Sequence, residues 1–216
     1  VGVPRTCFDA VVSSGDVARA YIAERIGETV FKIGPARDGP IFDDLPIRFA
    51  PLERADYVVC SGLFNDEGET PEDYRPLLRR MLERQLFMVC ANPDVVVERG
   101  ERLLYCAGAI ADLYRSLGGE VLYAGKPYRP IYDSALNKAA ALRGHAAPLD
   151  RVLAIGDSVR TDLAGAAALP VDCLFITAGI HAEEFGGRED PNLGAVERTF
   201  AAAGLVPTAL MRRLAW

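Results

Sequence analysis

Lys126, Asp157 and Asp162 are the residues whose types and spacing could do chemistry together. Residues 152–165 read Val-Leu-Ala-Ile-Gly-Asp-Ser-Val-Arg-Thr-Asp-Leu-Ala-Gly, an apolar run closed by Gly156-Asp157 with a second acid, Asp162, following. An apolar strand, a Gly-Asp turn and an acid at a helix start put two carboxylates at the carboxyl edge of a buried strand. That edge is where open α/β sheets bind ligands. Magnesium takes oxygen ligands, typically one or two carboxylates plus water and substrate phosphate. Lys126 ends the β-rich stretch Val121-Leu122-Tyr123-Ala124 in a Gly125-Lys126-Pro127 turn. An ammonium beside carboxylates and a metal is what phosphoryl transfer needs, because charge neutralisation and positioning govern that reaction. The plain alternative is that Asp162 caps a helix while Asp157 closes a turn.

The elements that must position these groups follow from periodicity. Pro127 suits the opening of a helix, and Ile131, Ala135, Leu136, Ala139 and Leu142 recur at helical spacing up to Arg143. A loop at Ala147–Asp150 and a strand at Arg151–Ile155 complete a strand–helix–strand unit. Such units pair their strands in parallel with a right-handed crossover, so Lys126 and Asp157 are expected at one edge of one sheet.

Gly-Lys-Pro followed by Ile-Gly-Asp-x-x-x-Thr-Asp resembles the third and fourth motifs of the haloacid dehalogenase superfamily of phosphatases. The likeness is to the branch with a large α/β cap between its second and third motifs, the NagD-like sugar phosphatases and 4-nitrophenyl phosphatases. Cys90-Ala91-Asn92-Pro93-Asp94, Gly108-Ala109-Ile110, and Val58-Val59-Cys60-Ser61-Gly62-Leu63 with Tyr74 beyond it resemble that branch's cap. The resemblance implies a Rossmann-like core with a parallel sheet, residues 1–27 and 124–216, and an inserted type C2 cap over 28–123. It also implies Mg²⁺-dependent hydrolysis of a small phosphorylated metabolite, such as a sugar phosphate, through an aspartyl-phosphate. Asp157 would bind Mg²⁺ directly. Asp162 would hold a metal-bound water or orient Lys126, which neutralises the nucleophile and the phosphoryl group. Gly125 and Ser158 would shape the pocket. Asn92 and Asp94 would read the substrate, or else form an Asx-Pro turn held by its own backbone.

The family's first motif, Asp-x-Asp-Gly with its nucleophilic aspartate, is not among these residues, nor is its second. Truncation, an unrecorded front or a natural pseudoenzyme would each account for that; the start at Val1 rather than Met favours the first two. The chain alone is expected to be inactive, and an inactive binding or dimerisation module, pairing through the cap, is the alternative reading. Ala10–Asp16 only mimics the second motif and reads as a strand end and a helix start capped by Ser14 or Asp16. Asp66-Glu67-Gly68-Glu69-Thr70 is a decoy for the first motif, and Asp43-Asp44 is loop material.

With 24 basic and 30 acidic residues the net charge is −6, which argues against nucleic-acid binding. No apolar stretch is long enough to cross a bilayer. Half the residues are hydrophobic, enough for a sizeable core. The five cysteines form no Cys-x-x-Cys pair, so buried free thiols in a reducing, cytoplasmic compartment are expected. His145 reads as solvated; His181, after Thr177-Ala178-Gly179-Ile180 at a strand's end, could line the cleft. A dinucleotide fold would need Gly-x-Gly-x-x-Gly and a P-loop Gly-x-x-x-x-Gly-Lys-Ser/Thr; neither is present.

Strands are predicted at 8–12, 29–33, 57–60, 87–91 and 172–176, helices at 17–26, 71–84, 108–117, 161–168, 182–185 and 193–203, and a hairpin over 95–104 turning at Arg99-Gly100. Alternation of β and α throughout gives an α/β layered fold.

Overall fold

The computed structural model describes residues 3–100 and 102–215. The chain divides into two compact units, Val12–Gly125 and Val1–Val11 with Lys126–Trp216.

The first unit opens with α1 (Ser14–Glu24), whose N-cap is Ser13 in a reciprocal capping box with Asp16, not Ser14 or Asp16 as expected. Ser13 wins because its hydroxyl accepts the Asp16 N–H while the Asp16 carboxylate reaches back to the Ser13 N–H. Val17, Ala18 and Ile22 are its buried face. Strands β1 (Thr29–Ile33), β2 (Arg48–Phe49), β3 (Tyr57–Cys60) and β4 (Phe87–Cys90) follow. Helix α2 (Arg75–Glu83) is entered through a tight 3₁₀ turn, Pro71–Tyr74, rather than running as one helix from Pro71. Next come the ribbon β5 (Val96–Arg99) and β6 (Arg102–Tyr105), helix α3 (Ala107–Ser116) and β7 (Val121–Tyr123). Glu101, inside the expected hairpin, lies outside the described residues, as do Val1, Gly2 and Trp216.

The sheet runs β2-β1-β3-β4-β7, every neighbouring pair parallel. Tyr57, Val58, Val59 and Cys60 are all buried, as a central strand covered on both faces must be; this is why the run is continuously apolar rather than alternating. The Tyr114 ring packs where a side chain on Gly119 would stand, and its hydroxyl donates to the Leu86 carbonyl.

In the second unit α4 (Arg129–Arg143) leads to β8 (Leu153–Gly156), α5 (Ala164–Ala168), β9 (Asp172–Ile176), α6 (Leu193–Ala203) and β10 (Ala209–Met211). Its sheet runs β10-β9-β8, again all parallel. Val159, Leu163, Ala166, Cys173, Phe175, Phe185, Val196 and Phe200 make the core, with Phe175 edge-on to Phe200 at 5.0 Å.

Several expectations are corrected. Strands β7 and β8 do not share a sheet: β7 extends the β4 ladder, and β8 is the edge of the three-stranded sheet. The crossover rule concerns strands of one sheet, and the chain passes between units at Gly125–Lys126. Residues 8–12 form no strand, for want of a partner; Val11 is 60% exposed and its carbonyl accepts from Lys138 Nζ. Residues 182–185 form hydrogen-bonded turns, not a helix. Helix α1 belongs to the same compact unit as the five-stranded sheet.

All five cysteines are free, and only Cys7 is exposed. Burial pushes the Cys60 thiol up to about 12 and the Cys90 thiol well above the ordinary range. Cys106 and Cys173 are raised for the same reason. Because the thiolate is the nucleophile, alkylation of the native protein at pH 8, read by peptide mass spectrometry, is expected to modify Cys7 and spare the other four until unfolding. Modification of Cys60 or Cys90 at the rate of Cys7 would contradict this burial. No helix among the described residues is long and apolar enough to cross a membrane.

Candidate active site

The site in the second unit is built on one turn. After β8 the chain enters a π-helical turn, Val159–Leu163, where a regular helix start was expected. Its widening is in one bond: the Leu163 N–H donates to the Ser158 carbonyl five residues back, an oxygen it shares with the ordinary four-residue bond from the Asp162 N–H, each at 3.0 Å. Ser158 is the N-cap, its hydroxyl accepting the Thr161 N–H at 3.3 Å. Such wide turns inside helices recur at functional sites.

The wide turn lets Asp162 fold back over the strand end. Its Oδ2 accepts the N–H groups of Asp157 and Ser158, each at 3.1 Å. Its Oδ1 accepts from Lys126 Nζ at 2.6 Å. The Asp162 side chain is 10% exposed and that of Lys126 47%, so a buried acid fixes a lysine whose upper surface stays open to solvent. Gly156 has no side chain for a steric reason: a Cβ there would stand 2.2 Å from Asp162 Cγ.

Asp157 is held from the other side. Its Oδ2 accepts the Ile180 N–H at 3.0 Å, and a Cβ on Gly179 would stand 2.1 Å from Asp157 Cβ. Its Oδ1 takes no hydrogen bond among the described residues. Tyr132 of α4 covers the turn from behind, its hydroxyl 3.4 Å from the Thr161 carbonyl and its ring against Gly165. Burial, then the negative Asp162, push the Tyr132 hydroxyl up to about 12, so it is neutral here.

Lys126, Asp157, Asp162 and Ser158 therefore meet in one place, though not by the shared sheet from which their meeting was expected. Gly125 and the Asn92–Asp94 turn belong to the first unit. There Asn92 Oδ1 accepts the Asp94 N–H at 3.2 Å, which is the Asx turn. Gly108 leaves room for the same turn, since its Cβ would strike the Pro93 carbonyl oxygen. The decoy acids are occupied structurally: Asp66 pairs with Arg37 at 2.5 Å, which holds its carboxyl below the usual range, and Glu69 accepts from the Tyr74 hydroxyl. Gly179, the Ile180 amide and Tyr132 escaped the sequence reading. Only the Ala-Gly-Ile turn at the end of β9 signalled the first two, and nothing local signalled the third.

The chain is thus an α/β protein of two parallel sheets, with a lysine–aspartate pair and a second aspartate at the carboxyl end of a strand. A HAD-hydrolase-like family model matches residues 123–201. A hydrolase of the haloacid dehalogenase-like family from Brucella suis is 49% identical, over 86% of this chain and 70% of that one, with a TM-score of 0.73. A p-nitrophenyl phosphatase from Archaeoglobus fulgidus shares the fold at 20% identity, over 92% of this chain and 69% of that one, with a TM-score of 0.65. A putative nagD protein is 25% identical, over 82% of this chain and 65% of that one, at 0.59. No curated protein matches the chain. The chain belongs to the haloacid dehalogenase-like hydrolase family, and its fold is that of the NagD- and 4-nitrophenylphosphatase-like branch.

Proposed function

We propose that this chain is the larger part of a Mg²⁺-dependent phosphatase acting on a small phosphorylated metabolite, with the nucleophilic aspartate outside these residues. The carrying observation is the Lys126–Asp162 pair at 2.6 Å on the turn that also presents Asp157. The name of the Archaeoglobus relative supports phosphomonoester hydrolysis as the reaction.

The donor set fits magnesium in part. Among the described residues no three His, Cys, Asp or Glu side chains gather as a closed metal cage. Magnesium does not require one, since it keeps waters and substrate oxygens beside one or two carboxylates. Asp157, held by one amide and with its other oxygen open, is the ligand. Asp162 has both oxygens engaged, so of its two expected roles it takes the second and orients Lys126. When bound, the metal neutralises charge on the phosphoryl oxygens. Lys126 places a positive charge beside the same group, in a site where a fixed charge acts without reorganisation. Ser158 shapes the approach to Lys126 within its own unit. As the family resemblance implies, residues 28–123 would be the cap, Gly125 would help shape the pocket, and Asn92 and Asp94 would read the leaving group. The exposed apolar residues of the β5–β6 ribbon, Val97 at 45% and Leu103 at 67%, support pairing of two copies through that unit.

The full-length protein, assayed with 4-nitrophenyl phosphate, is expected to turn over with Mg²⁺ and to stop when EDTA removes it. Hydrolysis that persists unchanged in EDTA would refute the metal assignment, and no hydrolysis of any phosphomonoester would leave the binding module as the function.

A further inference from the structure

The segment after β9 grips the active turn at two successive residues. Ile180 donates its N–H to Asp157 Oδ2, and His181 Nε2 accepts the Val159 N–H at 3.3 Å. A backbone amide only donates, so Nε2 is the bare nitrogen and Nδ1 carries the proton. That proton goes to Glu184, whose Oε2 lies 3.0 Å from Nδ1. The ring stands beside Phe175 and Phe185 at centroid distances of 6.4 and 5.8 Å, and its side chain is 13% exposed. Val159 is the first residue of the π-helical turn and 4% exposed. Its N–H is one of the donors a helix start leaves without an intrahelical partner, and His181 is the side chain that takes it. Packing alone in this aromatic slot would be served by phenylalanine.

We propose that His181, fixed by Glu184 as the Nδ1–H tautomer, is a positioning residue for phosphoryl transfer. Among the described residues it makes no hydrogen bond or ion pair with Lys126, Asp157 or Asp162. It acts through Val159, fixing where the turn begins and so where Asp162 holds Lys126. The inference rests on the phosphatase reading for its catalytic consequence, and on the hydrogen bonds alone for its structural one.

The test uses the full-length protein with His181→Phe, which keeps a ring but no acceptor, and His181→Gln, which keeps an acceptor. For His181→Phe, kcat with 4-nitrophenyl phosphate and Mg²⁺ should fall roughly 10- to 100-fold, the usual cost of losing a group that orients a site, with KM little changed. His181→Gln should restore most of that loss. The ¹⁵N spectrum should show one histidine protonated at Nδ1 only, lost in His181→Phe, and hydrogen exchange at the Val159 amide should be slow in the wild type and fast in His181→Phe. An unchanged kcat, a Gln variant no better than Phe, or an Nε2–H tautomer would overturn the proposal. If the wild type hydrolyses nothing, the phosphatase reading fails by itself, and the tautomer and Val159 exchange still decide whether His181 holds the turn.

Discussion

Lys126→Ala in the full-length protein should lower kcat for 4-nitrophenyl phosphate by about two to three orders of magnitude, the cost typical of removing one preorganised charge-stabilising group. The fold should scarcely notice. The lysine is 47% exposed, so solvent screening leaves the ion pair worth about 1 kcal/mol or less. Asp162 would still accept the Asp157 and Ser158 amides. Lys126→Arg should not rescue, because a planar guanidinium cannot replace a compact ammonium where geometry is set by one 2.6 Å contact. Asp157→Asn makes the complementary case: it retains an oxygen for the Ile180 N–H but loses the charge that holds magnesium. Its activity should fall comparably, and raised Mg²⁺ should recover part of it only if Asp157 is a ligand. Melting temperature measured beside kcat separates these outcomes from misfolding. Turnover within about threefold of wild type in both variants would remove the site assignment, since a threefold effect is under 1 kcal/mol of transition-state stabilisation.

Much of the fold was legible because local signals and tertiary structure agree. Thr29–Ile33, Tyr57–Cys60, Asp172–Ile176 and Leu193–Ala203 fall where β-branched runs and helical periodicity put them. What was not legible depends on contacts between distant residues. Nothing in Val121–Tyr123 says that it pairs with Met88–Cys90 rather than with β8. The strand–helix–strand pattern is identical in both topologies. The residues of the site were readable while their support was not: Asp162 reads as a helix-start acid from its neighbours, but its fold-back onto Gly156 requires the wide turn. The Ile180 and His181 contacts lie 23 and 22 residues from their partners, beyond any pattern of spacing. The Asn92–Asp94 turn shows the converse, since an Asx-Pro pair dictates its own hydrogen bond and needed no tertiary context.

Gly156→Ala should have the largest effect on stability. In Gly156→Ala the new methyl would lie 2.2 Å from Asp162 Cγ and 2.3 Å from its Cβ. Neither atom is the free end of a flexible chain, so the carboxylate must leave its place. Its departure strips the Asp157 and Ser158 N–H groups of their acceptor, and Ser158 is buried. An unsatisfied buried donor costs about 1–3 kcal/mol, and the displaced acid loses its lysine as well. The expected cost is about 2–4 kcal/mol, or roughly 5–15 °C in melting temperature for a chain of this size, with activity lost alongside. A double-mutant cycle distinguishes this cause from a general intolerance of alanine at the strand end. Asp162→Gly alone should destabilise through the same two amides. If the clash is the cause, Gly156→Ala added to Asp162→Gly should cost far less than it does in the wild type, because the obstructing Cβ and carboxylate are both gone. Costs that simply add would mean that the two residues do not act on each other. The fold-back of Asp162 over Gly156, on which the placing of Lys126 depends, would then be wrong.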